Sequence, residues 1–487
     1  MTRLTAWKRN CVLVFAGLAI ACSAQSFSNL ATFNRTDGWT PSGLLTQGID
    51  GNFYGETIFG GPPCGAEEFG CGNVFKISSS GSLTSLFSFP CKSDCPDGDA
   101  PESGVILATN GDFYGTASSG GVNAAGTIFK TTASGHATLV YTFCALANCA
   151  DGSSPTGGVV QGIDGNFYGT TRDGGNGPLC SSNGYCGNVF KLTPAGALTT
   201  IYNFCSQPNC ADGILPSTPI IQGADGNFYG TTAGLNAFHS TIFKVTPSGK
   251  LTTLYTFSSI IGVSQLFQGN DGNFYGITNQ GGANGLGSVF KMTPTGVLTT
   301  LYSFCSEPSC LDGADPFGGV VQGTDGNFYG TTSEGGRNGS GTLGGTIYSI
   351  TSAGALTTLY NFCSQSPNCA DGTDPSVPPV QGTDGNFYGS TTGGNVGNGT
   401  IYQLATGLGP FVKFLPAAGK VGAEVGILGT ALTGATSVAF NGTPAKFSVS
   451  SSTLILAHVP AGAKTGSIEV TLPSGTLSSN VPFNVIP

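Results

Sequence analysis

Residues 164–169 read Asp-Gly-Asn-Phe-Tyr-Gly, and this hexapeptide recurs along most of the 487-residue chain. Further copies begin at Asp50, Asp225, Asp271, Asp325 and Asp384, and the variant Asn-Gly-Asp-Phe-Tyr-Gly begins at Asn110. The seven copies start 46 to 61 residues apart. A period near 50 residues is typical of propellers and related repeat arrays. A side chain that recurs in every repeat belongs more often to the scaffold than to a catalytic site.

Each repeat has the pattern of a four-stranded antiparallel meander, which residues 157–204 illustrate. An apolar run at 158–162 precedes Asp164-Gly165, a pair that favours a tight hairpin turn. Strand-like runs follow at 167–171, 188–193 and 198–204, the last after a Pro-Ala-Gly turn. No segment shows a sustained helical apolar stripe. The chain is therefore predicted to be all-β.

The two ends of the repeat region complement each other. Residues 28–33 match the fourth strand of a repeat, whereas the last repeat stops after its third strand at residues 399–404. Radially packed sheets bury each other's faces and leave only short edges. We therefore predict a seven-bladed β-propeller with four-stranded blades, whose ring is closed by the N-terminal strand. An open solenoid or two smaller arrays are the alternatives, and neither explains the complementary ends.

Strand parity divides the connections between two faces. The Asp-Gly and Pro-Xaa-Gly turns share one face, here called the turn face. The loops between second and third strands and the crossings between repeats share the other, here called the loop face. The longest insertions, residues 59–72, 173–187 and 333–345, all belong to the loop face. Variable loops on a repeated scaffold usually carry binding, so this is the predicted functional surface.

Cysteine usage predicts disulfides on the loop face. Fourteen cysteines form close pairs, and an even count in local pairs indicates disulfides in an exported chain. The pairs are Cys64/Cys71, Cys91/Cys95, Cys144/Cys149, Cys180/Cys186, Cys205/Cys210, Cys305/Cys310 and Cys363/Cys369. Metal thiolates are the alternative, but His136, His239 and His458 are the only histidines and none is beside a pair.

The N-terminus has the pattern of an export signal. Arg3, Lys8 and Arg9 precede an apolar stretch at residues 11–21 that is too short to span a bilayer, and small residues follow at 22–24. We expect a signal peptide at residues 1–24, a secreted or outer-cell-surface location and no transmembrane segment in the mature chain. Lipid anchoring at Cys22 is an alternative.

Charge and repetition limit the candidate partners and cofactors. The net charge of −9, without a basic cluster beyond the N-terminus, disfavours nucleic acid and anionic membranes as partners. The repeated aspartates, at the hairpins and at Asp-Gly steps such as residues 151–152, are interpreted as turn formers that accept backbone hydrogen bonds. Calcium is the alternative, because two carboxylates lie close together at residues 97–99, 312–315 and 371–374.

Two further repeated positions are interpreted as structural. A lysine recurs on the third strand, and we expect it to pair with a turn carboxylate. The hexapeptide tyrosines are expected in the core between blades, with their hydroxyls hydrogen-bonded. The alternatives are an anion-binding ring of lysines and a sugar-stacking ring of tyrosines. The lysines are Lys76, Lys130, Lys191, Lys244 and Lys291.

The unrepeated charges near the variable loops are the candidate ligand-binding residues. They are Glu56, Glu67, Glu68, Arg172, Asp173, Glu334 and Arg337, and all but Glu56 are assigned to the ligand face. Glycoside cleavage needs two carboxylates about 5–10 Å apart, and Glu67 with Asp173 or Glu334 is such a hypothesis. Ordinary surface solvation is the alternative. Motifs for serine nucleophiles, zinc proteases and phosphate loops do not occur, so no catalytic residue, cofactor or metal ligand is assigned.

Two family resemblances follow from these motifs. Residues 26–404 resemble the GloVer tandem repeat of exported bacterial proteins, through the Asp-Gly-Asn-Phe-Tyr-Gly-Thr-Thr, Gly-Thr-Ile-Phe-Lys and Leu-Thr-Thr-Leu-Tyr segments. Residues 411–487 resemble the IPT/TIG immunoglobulin-like domains, through segments 416–419, 429–432, 435–443 and 459–463. The first resemblance implies no activity, and the second implies a seven-stranded sandwich that serves as a spacer or interaction domain. The predicted domains are a propeller at 25–408 and a sandwich at 409–487.

These observations favour a secreted or cell-surface binding and interaction protein whose loop face contacts a carbohydrate, peptide or protein. The alternative is an extracellular polysaccharide hydrolase or lyase with its site on the same face. A third class is a structural component of the envelope.

Overall fold

The computed structural model describes residues 25–62, 69–90, 95–177, 180, 185–235, 238–338, 344–365, 368–394 and 397–486. The predicted signal peptide at 1–24, Cys22, Cys64, Glu67, Glu68 and Cys91 lie outside these residues. Within them, no helix combines the length and the apolar character needed to cross a membrane.

The repeats form seven antiparallel sheets over the described residues, numbered here in chain order. Sheet 1 consists of Trp39–Gln47, Phe53–Phe59, Asn73–Ile77 and Leu83–Ser88. Sheet 2 consists of Asp99–Pro101, Ile106–Leu107, Phe113–Ser119, Thr127–Thr131 and Ala137–Thr142. Sheet 3 consists of Val159–Gln161, Phe167–Thr171, Asn188–Leu192 and Leu198–Asn203. In sheet 2 the first strand is split into two pieces, and both pair with Phe113–Ser119.

Sheets 4 to 6 repeat the same order. Sheet 4 consists of Ile221–Gln222, Phe228–Thr232, Thr241–Val245 and Leu251–Thr256. Sheet 5 consists of Phe267–Gln268, Phe274–Thr278, Ser288–Met292 and Leu298–Ser303. Sheet 6 consists of Ala314–Gln322, Phe328–Glu334, Thr346–Ile350 and Leu356–Asn361. Short 3-10 helices occupy Ala147–Cys149, Pro208–Cys210 and Pro308–Cys310. The predicted all-β fold with four-stranded antiparallel sheets is confirmed.

Sheet 7 combines the two ends of the repeat region. Its strands are Val380–Gln381, Phe387–Thr391, Thr400–Ala405 and, from the N-terminus, Ser26–Thr32. The last two pair antiparallel, with Ser26 opposite Ala405 and Thr32 opposite Thr400. This pairing supplies the fourth strand that the last repeat lacks.

The hexapeptide builds a polar clamp at the hairpin, which sheet 3 illustrates and sheets 4 and 5 repeat in full. Gly165 has a φ of +79°, a conformation that the tight turn requires and that glycine adopts without strain. Asp164 accepts hydrogen bonds from the Asn166 backbone N–H at 3.1 Å, the Tyr168 hydroxyl at 2.8 Å and the Lys191 ammonium at 2.9 Å. The repeated aspartate, asparagine, tyrosine and lysine are therefore one structural unit.

Stacked aromatic rings join each sheet to the next. The hexapeptide tyrosine of one sheet lies on the hexapeptide phenylalanine of the following sheet, with ring centroids 3.8 to 4.2 Å apart. The pairs are Tyr54–Phe113, Tyr114–Phe167, Tyr168–Phe228, Tyr229–Phe274, Tyr275–Phe328, Tyr329–Phe387 and Tyr388–Phe53. The last pair connects sheet 7 with sheet 1.

The crossings between sheets are held by buried aspartates and disulfides. Asp212, fully buried, accepts hydrogen bonds from the Tyr202 hydroxyl at 2.7 Å and from the backbone N–H groups of Ser206 and Gln207. Asp151, Asp312 and Asp371 make the same contacts in their own sheets. Five predicted pairs are disulfides: Cys144–Cys149, Cys180–Cys186, Cys205–Cys210, Cys305–Cys310 and Cys363–Cys369.

The C-terminal region is a β-sandwich with its own apolar core. One sheet contains Lys413–Leu415, Glu424–Leu428, Leu454–His458 and Phe447–Val449, and the other contains Thr443–Pro444, Ser437–Phe440, Ile468–Leu472 and Gly475–Ser478. Ala418–Lys420 pairs in parallel with Asn484–Ile486. Alternating apolar side chains from both sheets, including Val438, Ile455 and Val470, are fully buried between them.

The sandwich contacts the turn face of the repeat region. The Thr453 hydroxyl donates to the Ile49 carbonyl at 2.7 Å, and the Phe411 N–H donates to the Thr383 carbonyl at 3.0 Å. The Lys413 ammonium donates to the Gln381 carbonyl at 2.5 Å. The sandwich therefore covers hairpins of sheets 1 and 7, and the loop face lies on the opposite side of the molecule.

Candidate functional site

A cavity of about 480 Å³ lies where segments from all seven sheets converge on the loop face. Each sheet contributes residues within or just before its first strand, from Gly43 and Leu44 of sheet 1 to Ser376 and Val377 of sheet 7. The wall also contains Arg172, Ala233 and Asn279, which follow second strands, and Ile277, which lies within one. We call this the central cavity. Its size lies within the range of small-ligand sites.

One sequence position per repeat gives the cavity much of its character. Most crossings contain a proline, and the residue after that proline lines the cavity in five sheets. These five residues are Glu102, Thr156, Ser217, Phe317 and Ser376. The neighbouring scaffold is repeated, but this position carries an acid, three hydroxyls and an aromatic ring. The repeat therefore presents variable chemistry at a constant place.

Glu102 is the carboxylate of the cavity wall among the described residues. Burial raises the pKa of Glu102, and the Ser118 hydroxyl and the Arg172 guanidinium partly oppose that rise. A hydrogen bond and a positive charge favour the ionised carboxylate, whereas burial favours the neutral acid. Glu102 and Arg172 thus place a carboxyl group and a cationic guanidinium near each other in the cavity wall.

Glu56 lies behind this wall and is fully buried. Its Oε2 accepts a hydrogen bond from the Gly104 N–H at 2.8 Å, and its Oε1 has no hydrogen-bond partner among the described residues. Burial raises the pKa of Glu56 to about 8, and the charge of Glu102 adds to the rise. Glu56 therefore lies in contact with the segment that carries Glu102 into the cavity.

The opposite side of the cavity is less charged. Phe317 is 49% exposed, although most large apolar side chains of the repeat region are buried. Gln265 and Asn279 also line the cavity, and the buried Asn279 Oδ1 has no hydrogen-bond partner in the described part of the chain. This side combines an accessible ring with amide groups.

The candidate residues from sequence fall in different places. Arg172 lines the central cavity, and its guanidinium is 3.9 Å from the Asp173 carboxylate, whose pKa is raised by burial. Asp173 stands beside the cavity wall as the partner of Arg172. Glu334 ends the second strand of sheet 6, and Arg337 is exposed; neither lines the cavity.

Glu102 was missed by the sequence analysis. Its signal was the acid in the Asp-Ala-Pro-Glu crossing, at a position where other repeats carry hydroxyls or an aromatic ring. Glu56 was named among the unrepeated charges but was given no role; there an acid replaces the threonine that usually follows Phe-Tyr-Gly. Both are single departures from a repeated pattern.

The structure offers one weak grouping of metal-ligand residue types. Cys71, Cys95 and Asp99 are the group of three such residues that lie within 4.8 Å of one another in the described parts of the chain. Cys71 is disulfide-bonded, and a disulfide sulfur lacks the thiolate that binds metals. This group is therefore a poor fit to a metal ion.

Comparisons with known proteins agree with the fold. The family model described as the Gloeobacter/Verrucomicrobia repeat matches residues 17–234, 181–366 and 263–432, and the IPT/TIG domain model matches residues 411–485. A search of curated protein sequences finds no significant match.

Solved structures with the same fold include several enzymes. A streptogramin B lyase is 18% identical, with 80% of this chain and 99% of that chain covered and a TM-score of 0.50. Catalytically inactive virginiamycin B lyase from Staphylococcus aureus, with quinupristin, is 16% identical, with 78% and 99% covered and a TM-score of 0.53. A fungal alcohol oxidase in complex with copper is 12% identical, with 95% and 99% covered and a TM-score of 0.50.

Identities this low establish a shared fold and no shared activity. The repeat model, in contrast, covers well over half of the chain. The chain belongs to the Gloeobacter/Verrucomicrobia repeat family and carries a C-terminal IPT/TIG domain.

Proposed function

We propose that residues 25–408 form a closed seven-bladed β-propeller, that residues 409–487 form its companion domain, and that residues 1–24 direct export. The pairing of Ser26–Thr32 with Thr400–Ala405 and the stacking of Tyr388 on Phe53 support closure. The five disulfides support an oxidising compartment, because such bonds are rare in the cytosol. The protein is then secreted or displayed at the outer cell surface.

The central cavity is the proposed binding site of this protein, and a saccharide unit is the proposed ligand. The observation that carries this proposal is a cavity to which all seven sheets contribute. Sugar rings present an apolar C–H face and several hydroxyls. Phe317 offers a surface for the former, and Glu102, Arg172 and Asn279 offer hydrogen bonds for the latter.

An extracellular polysaccharide hydrolase or lyase is the second candidate. The raised pKa of Glu102 favours it, because carboxyl groups that transfer protons commonly have raised pKa values. Cleavage with two carboxylates requires a second one in reach of the substrate. Glu56 is fully buried, and Asp173 is paired with Arg172 outside the wall. Binding without cleavage is therefore the better-supported function.

The sandwich is proposed as the domain that docks to other proteins or spaces the propeller from the cell. Its IPT/TIG match and its position on the turn face support this role. The central cavity remains accessible while the sandwich engages a partner.

Calorimetric titration of the mature protein, residues 25–487, with a panel of neutral and acidic oligosaccharides tests the proposal. We expect binding that Arg172→Ala and Phe317→Ala each weaken at least tenfold, because each removes a wall contact. Val297→Ala, at an exposed position on the turn face, is the matched control and leaves the affinity unchanged. Equal affinity in all variants, or no binding across the panel, would contradict the site.

The same samples distinguish binding from catalysis. Each oligosaccharide is incubated with the protein, and the products are separated by size and assayed for new reducing ends. Intact oligosaccharide is the expected result. Cleavage that Glu102→Gln abolishes would establish the enzyme instead.

A further inference from the structure

Glu56 occupies a position that is otherwise hydroxylated or apolar. The residue after Phe-Tyr-Gly is Thr116, Thr170, Thr231, Ile277, Thr331 or Ser390 in the other sheets. Where its contacts are clearest, this hydroxyl donates to a carbonyl of the next sheet. Thr116 donates to Pro155 at 2.7 Å, and Thr331 donates to Val377 at 3.0 Å. In sheets 2, 4 and 6 the position therefore ties the second strand to the cavity segment of the following sheet.

Glu56 makes the corresponding contact with the next sheet, but it accepts the hydrogen bond where the threonines donate one. Its Oε2 accepts from the Gly104 N–H of sheet 2, and the Ser103 N–H also points to this carboxyl group. Gly115 lies against Oε1, so closely that a side chain there would collide with it. Glu56 thereby holds the segment 102–104, which places Glu102 and Ser103 in the cavity wall.

The charges around Glu56 are unfavourable for an ionised carboxylate. Of the titratable groups in the described residues, Glu102 acts on it directly, and it carries the same charge. Arg172 acts on Glu102, and Asp173 in turn pairs with Arg172. No cation among the described residues pairs with Glu56. Hydrogen bonds from the backbone N–H groups of Gly104 and Ser103 favour the ionised carboxylate, but burial is the larger effect and favours the neutral acid.

We propose that Glu56 is a positioning residue of the central cavity, and that loss of its proton loosens segment 102–104 and weakens ligand binding. This inference rests on the proposed binding function. Ionisation adds a second negative charge beside Glu102, and the segment must then move or admit water to solvate it. The pKa of about 8 places this change at mildly alkaline pH. Affinity is therefore highest at neutral and lower pH and falls as the pH rises through 8.

Glu56→Gln is the direct test, because glutamine has nearly the same shape and no titratable proton. The saccharide selected by calorimetry is titrated at several pH values between 6 and 9.5. We expect the unmodified protein to lose affinity at least fivefold over this range, and Glu56→Gln to keep its affinity. Glu424→Gln, at an exposed position in the sandwich, is the matched control and follows the unmodified protein. Parallel pH profiles for the unmodified protein and Glu56→Gln would overturn the proposal.

A second measurement is independent of the ligand. Carbon NMR of the protein labelled at glutamate carboxyl groups is expected to show one signal with a midpoint near pH 8, which is missing in Glu56→Gln. A Glu56 midpoint near 4 would overturn the proposal even if saccharide binds. A midpoint near 8 without saccharide binding would instead indicate that the proposed ligand is wrong.

Glu56→Thr restores the usual residue of the repeat and serves if the glutamine variant does not fold. It removes both the proton and the acceptor for Gly104. We expect its binding to be independent of pH above 6.5 but weaker than that of the unmodified protein at pH 6. Full affinity at pH 6 would show that Glu56 does not position the segment.

Discussion

The turn face and the loop face are built from the same repeats, but they differ in what they repeat. On the turn face, Asp164, Asp225 and Asp271 make the same contacts with a tyrosine, an asparagine and a lysine. On the loop face, the equivalent residues Glu102, Thr156 and Phe317 share a place and no chemistry. Positions that keep the same residue in most repeats build the scaffold, and positions where the residue differs between repeats line the candidate site.

The largest expected effect comes from breaking the shared tyrosine stack. Tyr275 is fully buried, stacks on Phe328 and donates to Asp271 at 2.9 Å. Tyr275→Ala leaves a cavity between two sheets, and we expect it to lower the free energy of unfolding by about 3–5 kcal/mol. Chemical denaturation measures this change. Tyr185→Ala, at a residue that is 48% exposed on the loop face, is the control and costs less than about 0.5 kcal/mol. Equal decreases in the free energy of unfolding for Tyr275→Ala and Tyr185→Ala would contradict the view that the repeated tyrosines are structural and the loop-face tyrosine is not.

Disulfides give an effect of intermediate size. The Cys205–Cys210 bond closes a five-residue separation around the Asp212 clamp. Replacing both cysteines with serine releases a short loop in the unfolded chain, which is worth about 2 kcal/mol by loop entropy. Thermal unfolding under non-reducing conditions measures the loss. When the parent protein is fully reduced, the double-serine variant and the parent should have the same stability. A remaining difference in stability would mean that the loss comes from packing and not from the disulfide.

The smallest expected effect concerns the repeated lysines. Lys244 donates to Asp225 at 2.7 Å, but both side chains are about a third exposed. Such pairs contribute about 0–1 kcal/mol, so Lys244→Met should change the free energy of unfolding by less than about 1 kcal/mol. The Lys244 ammonium and neighbouring donors lower the pKa of Asp225 to about 2 despite partial burial. The contribution is therefore present above the ordinary aspartate pKa and is lost as the pH falls toward 2.

Denaturation of Lys244→Met and its parent between pH 2 and 7 checks this prediction. The two curves should converge at the acidic end. A loss of several kcal/mol at pH 7 would mean that the repeated lysines stabilise the fold more than a partly exposed ion pair can.

Much of the scaffold was predictable because the sequence of each repeat contains local patterns that specify its hairpins, strands and disulfides. Asp164-Gly165 specifies a hairpin, the alternation after it specifies strands, and Cys205 and Cys210 are close enough in sequence to meet in any compact loop. Seven copies of the same rules remove the ambiguity that one copy would leave. The family resemblances also followed from these local patterns, and the comparisons confirm them.

The candidate site was predictable only as a face. Arg172 was named from sequence, whereas Glu102 was missed, because turn and strand patterns do not report which crossing residue points to the centre. The burial of Glu56 was equally hidden, since an acid on a strand is ordinarily placed in solvent.

Sequence alone therefore determined the strands, the hairpins and the disulfide spacing, because these depend on contacts between residues near one another in the chain. Tertiary structure decided that Glu102 and Arg172, from two different repeats, line one side of a cavity, and that Glu56, from a third repeat, lies behind that wall. Their pKa values and their partners depend on burial and distance across sheets. No local pattern in the chain encodes those quantities.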